Sequence, residues 1–370
     1  MSDRGSVPGA LPATAAIGWL LHEATQVAAP ATLLGEVCNR LAAEALPIRR
    51  ALLKIASLDP LVAASRLLWQ RDNDRVIEEV LLHGMPALED AAGNISVLRI
   101  AFSGTCHEID WMADGSAGFS VEQRLYLEAI SLVMAAPLQV VVGREATRSL
   151  LRAYLGRRSA DEVLGGTVRR GVGEMIEAVI WISDLRNFTF LSETLTPEQV
   201  IIALNDCCAR LVGAIHPFGG EVLKFIGDGL LAIFPLAAHG TKAACTAALS
   251  AVRAARRGMA LLDEQRARAG LPPLPFGIGL HLGTVMYGNI GAPDRLDFTA
   301  IGPAINLTSR IEGLCRRLGC PVLISEAVST QCGEFLAPMG RHSMRGVKKP
   351  VVLFTLPELA PPPEDPDGQR

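Results

Sequence analysis

Hydrophobic positions along the chain follow two alternating rhythms. Short apolar runs closed by Gly, Asp or a turn predict strands at 178–183, 221–226, 230–234, 276–282, 322–324 and 351–354. Gly227, Asp228 and Gly229, between the second and third runs, predict a tight hairpin turn. Between these runs apolar residues recur at helical spacing. Thr196, Pro197 and Gln199 form a helix start: an N-cap, a proline at the first helical position and a capping-box glutamine. Val200, Leu204, Cys207 and Leu211 continue it as an apolar stripe. A second helix is predicted from His239 to Ala269. A third opens at Gly302, carries Leu307, Ile311, Leu314 and Leu318 on one face and closes at Gly319. The order β-α-β-β-α-β predicts an α+β unit built on a ferredoxin-like sheet.

Ahead of that unit the pattern is less regular. Residues 33–43 and 123–134 read as helices, and 51–56, 66–70 and 96–102 as strands, with Gly118, Phe119 and Ser120 as a cap before the last helix. The expected division is a flexible leader at 1–13, a regulatory domain at 14–145, a helical linker at 146–176, a catalytic domain at 177–356 and an acidic, Pro-rich tail at 357–370. Helix, strands and a long final helix leading to an output domain resemble an α/β GAF-like sensory domain. The alternative is a dimerisation domain without a ligand. His22, His83, Cys106 and His107 read as incidental residues in preference to haem or metal ligands.

The chemistry gathers in the second region. Asp184 ends one apolar run and Asp228 sits in the hairpin turn. Either aspartate alone is ordinarily a turn or capping residue. In a ferredoxin-like sheet, however, strand one lies beside the hairpin, so both carboxylates meet at one end of the sheet. Two converging carboxylates make a hard-oxygen site suited to Mg²⁺, which is usually held by one or two carboxylates plus substrate phosphates. Asn187, Phe188 and Thr189 follow at the start of a short helix, where free backbone N–H groups attract phosphate.

Four segments, in order, carry a resemblance. Residues 181–189 and 224–234 look like the two metal motifs of class III nucleotidyl cyclases, and 279–291 and 299–310 look like the remaining two. The resemblance implies a ferredoxin-like catalytic domain that converts ATP to 3′,5′-cyclic AMP and pyrophosphate, with Mg²⁺ or Mn²⁺ as two ions per site. Asp184, Asp228 and the Leu185 carbonyl would hold the ions. Asn306 and Arg310, four apart and so on one helical face, would orient the ribose and meet charge on the α-phosphate. Lys224 and Thr299 would read adenine, as in the adenylate-selective subgroup with Thr in this role; guanylate-selective relatives place Glu and Cys there. Two departures stand out. Arg345 occupies the position of a triphosphate-binding Lys, with Lys348 and Arg295 as further candidates, and Asn187 stands where Gly is common. The family also implies a head-to-tail homodimer, with metals from one chain and Lys224, Thr299, Asn306 and Arg310 from the other. The competing expectations are a guanylate cyclase and a catalytically silent nucleotide-binding module.

Composition sets the remaining bounds. Of 370 residues, 49% are apolar and 20% charged, with net charge -3, which argues against a nucleic-acid footprint and a disordered chain. Eight cysteines lack any C-x-x-C pair and read as reduced core residues. The apolar run over 130–142 is interrupted by Pro137 and Gln139, so no membrane span is expected; nor is a signal peptide, and the protein is expected to be cytoplasmic. A small molecule or protein signal is the expected input to the first domain.

Overall fold

The computed structural model describes residues 14–56, 62–73, 75–83, 96–102, 106–114, 117–166, 169, 171–237, 240–292 and 294–360. The expected leader and most of the expected tail, as well as His239, lie outside the described residues. The chain divides into two compact units between Tyr154 and Leu155.

The first unit holds α1 (Ala15–His22), α2 (Pro30–Ala43), β1 (Ile48–Ala56), β2 (Val62–Gln70), β3 (Arg75–Leu82), β4 (Val97–Ala101), β5 (Glu108–Ala113) and α3 (Val121–Leu155). Its five strands pair in the order β3-β2-β1-β5-β4, each pair antiparallel. Leu53, Leu67, Trp69 and Trp111 of the sheet pack with Leu33, Val37, Leu127, Ile130 and Met134 of α2 and α3 in one buried cluster. The two indoles satisfy their N–H groups in that core, Trp69 donating to Asn39 Oδ1 at 3.1 Å and Trp111 to Ser131 Oγ at 3.0 Å. The cap expected before α3 is present: Gln123 N–H donates to Ser120 Oγ, and Ser120 N–H to Gln123 Oε1.

Helix α3 runs well beyond the expected end at Met134 and passes through Pro137. Pro137, Leu138 and Val141 are all buried. Packing of that face outweighs the one backbone hydrogen bond the ring removes. The continuous helix changes the membrane argument, because α3 and the segment Pro197–Phe218 are each long and apolar enough, by length and composition alone, to cross a membrane. Both also send buried residues into their unit's core, as helices of globular units do.

The second unit comprises α4 (Arg157–Leu164), β6 (Gly173–Leu185), α5 (Phe188–Thr194), α6 (Pro197–Ile215), β7 (Glu221–Ile226), β8 (Gly229–Pro235), α7 (Thr241–Arg268), β9 (Phe276–Ala292), β10 (Arg295–Ile301), α8 (Pro303–Arg317), β11 (Val322–Ser325), α9 (Glu326–Ser329), β12 (Ala337–His342) and β13 (Val351–Thr355). The sheet order is β12-β13-β11-β9-β6-β8-β7, with β10 paired to β9. Within it, β9-β6-β8-β7 is the ferredoxin-like arrangement, with the first strand between the third and fourth. Val179 and Trp181 of β6 face the helices α6 and α7, where Ala244, Ala248, Ala251 and Ala255 permit close packing. Ala178 and Ile180 face the opposite side, against Val285 and Tyr287.

The stretch expected as a linker is shared between the units: 146–154 complete the first unit's part of α3, while α4 and the start of β6 belong to the second. Helix α4 docks firmly. Arg158 pairs with Glu221 at 2.6 Å and Glu174 at 2.9 Å, and Ser159 Oγ lies 2.6 Å from the Tyr287 hydroxyl. The capping box on α6 is complete, with Gln199 N–H donating to Thr196 Oγ1 and Thr196 N–H to Gln199 Oε1. Thr196→Ala is expected to lower stability by about 1 kcal/mol, measured by urea denaturation, with no change in the far-UV spectrum.

Candidate active site

Asp184 is the penultimate residue of β6, and Asp228 lies in the turn between β7 and β8. Strand β6 pairs with β8 in a register that places Ser183 opposite Leu230, so the end of β6 abuts the hairpin turn. Gly229 makes the approach possible. A Cβ there would lie 2.5 Å from the Ser183 carbonyl oxygen and 2.8 Å from Asp184 Oδ1. The two carboxyl groups consequently meet. Burial pushes the Asp184 pKa above the ordinary carboxylate range, and the Asp228 charge and a side-chain hydrogen bond to Asp228 push it the same way. Arg186 and a backbone bond at Leu185 partly offset this.

Two half-buried carboxylates in contact, their repulsion only partly offset by Arg186, are the donor set a divalent cation neutralises. No cluster of three or more His, Cys, Asp or Glu suited to a metal occurs among the described residues. A cation at this pair would thus draw its remaining ligands from backbone, water and substrate. The Leu185 side chain is buried in the core, which fixes the strand end that carries its carbonyl.

Beyond Leu185 the chain turns sharply. Asn187 adopts a left-handed conformation (φ 58°, ψ 29°), which accounts for the place where Gly is common. Helix α5 then begins at Phe188 and has only seven residues. Arg186 folds in the opposite direction: its backbone N–H donates to the Pro275 carbonyl, and its guanidinium reaches Glu312 on α8. Burial raises the Glu312 pKa to about 7, the Arg186 charge works against that shift, and Asp184 and Asp228 add to it.

A second group forms around Lys224 on β7, which makes an ion pair with Asp297 on β10. Thr299 lies two residues along the same strand and therefore on the same side as Asp297. A third group lies on the outer face of α8. Asn306 and Arg310 are exposed, while Thr308 and Ile311 face inward. Gly346, at φ 72°, comes so close that a Cβ would lie 3.4 Å from Arg310 Nη2. The loop bearing Arg345 and Lys348, both exposed, is thus brought beside Arg310. Arg295 is exposed at the start of β10, opposite Ala292. Among the described residues, no hydrogen bond or ion pair joins the Asp184–Asp228 pair to Lys224, Thr299, Asn306 or Arg310. Asp297, Glu312 and Arg186 are site neighbours that sequence reasoning missed. The alternation of Asp297 and Thr299 was the available signal for the first of them.

Residues 173–357 match the family model described as the adenylate and guanylate cyclase catalytic domain. The chain belongs to this family. Over 158 residues it is 37% identical to an adenylate cyclase of Anabaena cylindrica, a stretch that is 43% of this chain and 31% of that protein. It is 32% identical over 172 residues to adenylate cyclase 1 of Rhizobium meliloti, spanning 46% of this chain and 26% of the relative. The chain therefore spans a third or less of these relatives. A solved bacterial light-regulated adenylyl cyclase superposes with a TM-score of 0.51 over 72% of this chain and 85% of its own, at 21% identity, a likeness of fold. The four motif segments all lie within the matched cyclase domain.

Proposed function

We propose that the protein is an adenylate cyclase, acting as a cytoplasmic homodimer on ATP and releasing 3′,5′-cyclic AMP and pyrophosphate. The observation that carries this reading is the contact between Asp184 and Asp228 at the end of a ferredoxin-like sheet, inside a domain that matches the cyclase family. Asp184, Asp228 and the Leu185 carbonyl are assigned to Mg²⁺ or Mn²⁺. Two such ions would activate the ribose 3′-hydroxyl and neutralise the phosphates during in-line displacement at the α-phosphorus.

The chain's own groups take the remaining tasks. Lys224 donates to adenine N1, and the Thr299 hydroxyl accepts from the N6 amino group. Asn306 orients the ribose, and the Arg310 guanidinium meets the charge that grows on the α-phosphate. Backbone N–H groups at Asn187, Phe188 and Thr189, with Arg345, Lys348 or Arg295, serve the triphosphate. Asn306 and Arg310 lie exposed on the outer face of α8, open to a second chain, which supports a site shared head to tail between two protomers. Exposed Phe225 and Ile226 on the hairpin and Ile290 and Leu296 on the β9–β10 arm supply apolar surface for that pairing.

The first unit is proposed as a GAF-like sensory domain. A cavity of about 310 Å³ lies among α2, α3 and the β1–β3 strands, lined by Ile55, Leu67, Val80, Val142 and Glu145 among others, and supports a small-molecule input.

The test incubates the purified full chain with Mn²⁺ and either ATP or GTP, beside Asp228→Ala. Cyclic AMP from ATP, with GTP turned over far more slowly and the variant at background, is the expected outcome. Cyclic GMP as the main product would establish guanylate cyclase instead, and no product above the variant would leave a silent nucleotide-binding module.

A further inference from the structure

Arg186 stands two residues after Asp184, so its guanidinium could pair with Asp184 or Asp228 directly. Its charge is felt at Asp184, but its ion pair goes elsewhere. Arg186 Nη2 donates to the Glu312 carbonyl at 3.0 Å and forms an ion pair with the Glu312 carboxylate. Both side chains are largely buried, at 17% and 8% exposure. Space for this route is provided by Gly277 on β9, where a Cβ would lie 1.8 Å from Arg186 Nη2 and 2.7 Å from Glu312 Oε1. Gly279 lets α8 sit low enough to present Glu312, since a Cβ there would be 2.7 Å from the Glu312 backbone nitrogen. The Arg186 charge thus acts on both Asp184 and Glu312, and the carboxylate on α8 holds it.

We infer that Glu312 is a positioning residue: it sequesters Arg186 away from Asp184 and Asp228 and so keeps those carboxylates open to a divalent cation. This rests on the proposed assignment of the carboxylate pair to metal. Loss of the Glu312 charge frees a buried cation whose nearest remaining anions are the metal carboxylates. Loss of Arg186 removes the competitor altogether. The two variants therefore have unequal consequences, which a purely structural ion pair does not produce.

The experiment titrates the metal-free full chain with Mn²⁺ and reads free Mn²⁺ by electron paramagnetic resonance, without substrate. Glu312→Gln is expected to weaken Mn²⁺ binding about tenfold, in the range typical of groups that orient metal ligands. Arg186→Gln is expected to bind within about twofold of wild type, and Arg186→Gln/Glu312→Gln to recover the same affinity. Equal losses in both single variants, or a double variant no better than Glu312→Gln, overturn the inference. If Glu312→Gln does not fold, Glu312→Asp takes its place, with a smaller loss that Arg186→Gln relieves; absence of that relief overturns the inference as well. Asp228→Ala separates the two levels. Mn²⁺ affinity unchanged in Asp228→Ala removes the metal assignment itself, whereas loss there without loss in Glu312→Gln removes only the role of Glu312.

Discussion

An equimolar mixture of Asp228→Ala and Arg310→Ala proteins is expected to form cyclic AMP at about a quarter of the wild-type rate, although each alone is nearly inactive. In each protomer Asp228 belongs to the carboxylate pair at the sheet end, while Arg310 lies exposed on α8 beside the Gly346 loop. No described hydrogen bond or ion pair links the two groups within one chain. If a complete site takes carboxylates from one protomer and Arg310 from the other, a homodimer of either variant has two broken sites. A mixed dimer concentrates both defects in one site and leaves the other intact. Random exchange makes about half the dimers mixed, each with one of two sites working, hence about a quarter. Each variant alone is expected to lose roughly two to three orders of magnitude, the scale for removing a group that acts on developing charge. Differently tagged proteins, co-purified to show that exchange has occurred, make the result decisive. Mixed dimers without activity would mean that each chain builds its own site.

The difference between what the chain displays and what it conceals follows from how each element is stabilised. The hairpin at 227–229 and the capping box at Thr196 and Gln199 are local events. Their residues carry the whole signal, and they form where the sequence places them. Elements governed by distant partners were hidden. Strand β5 reads as polar because it contains Asp110, yet that carboxylate is buried and held by Arg99 at 2.7 Å and Lys54 at 3.2 Å. Strand β3 lies at a sheet edge and is largely exposed, and its apolar residues Val76, Ile77, Val80, Leu81 and Leu82 fall on both faces, so no clean alternation announces it. Helix α3 looked broken at Pro137 because proline's local cost is visible in sequence and the burial that offsets it is not. The candidate site divides along the same line. Asp184 and Asp228 were legible because each closes an apolar run. Asp297, Arg186 and Glu312 acquire meaning only from contacts across the sheet: β10 brings Asp297 to Lys224, and α8 brings Glu312 to Arg186. The ordering of Asn187 was partly legible, since Asn and Gly share tolerance for the left-handed turn found there.

The two glycines flanking Asp228 are expected to differ sharply when replaced by alanine. Gly227 has φ +60° and open space around its would-be Cβ, so Gly227→Ala meets only backbone strain. That costs about 1 kcal/mol and leaves turnover within a few-fold of wild type. Gly229 is the opposite case. Its φ is not in the left-handed region, but a Cβ would lie 2.5 Å from the Ser183 carbonyl and 2.8 Å from Asp184 Oδ1. Neither is the far end of a long side chain; one is backbone in a paired strand, and the other is the carboxylate itself. Gly229→Ala must therefore spread β6 from β8 at the point where Asp184 and Asp228 meet. Overpacking of this kind lowers stability by about 1–3 kcal/mol. The larger effect falls on chemistry, because a shift of about 1 Å in a reacting constellation can cost about a hundredfold in rate. The clash falls on Ser183 and Asp184 of β6 and not on Lys224, which is paired with Asp297 of β10, so the KM for ATP is expected to change little while kcat falls by about that factor. Urea denaturation and steady-state kinetics on both variants provide the measurement. Comparable kcat in Gly227→Ala and Gly229→Ala would show that the turn accommodates a methyl group without moving the carboxylates, and that the close approach at Gly229 is not what sets their spacing.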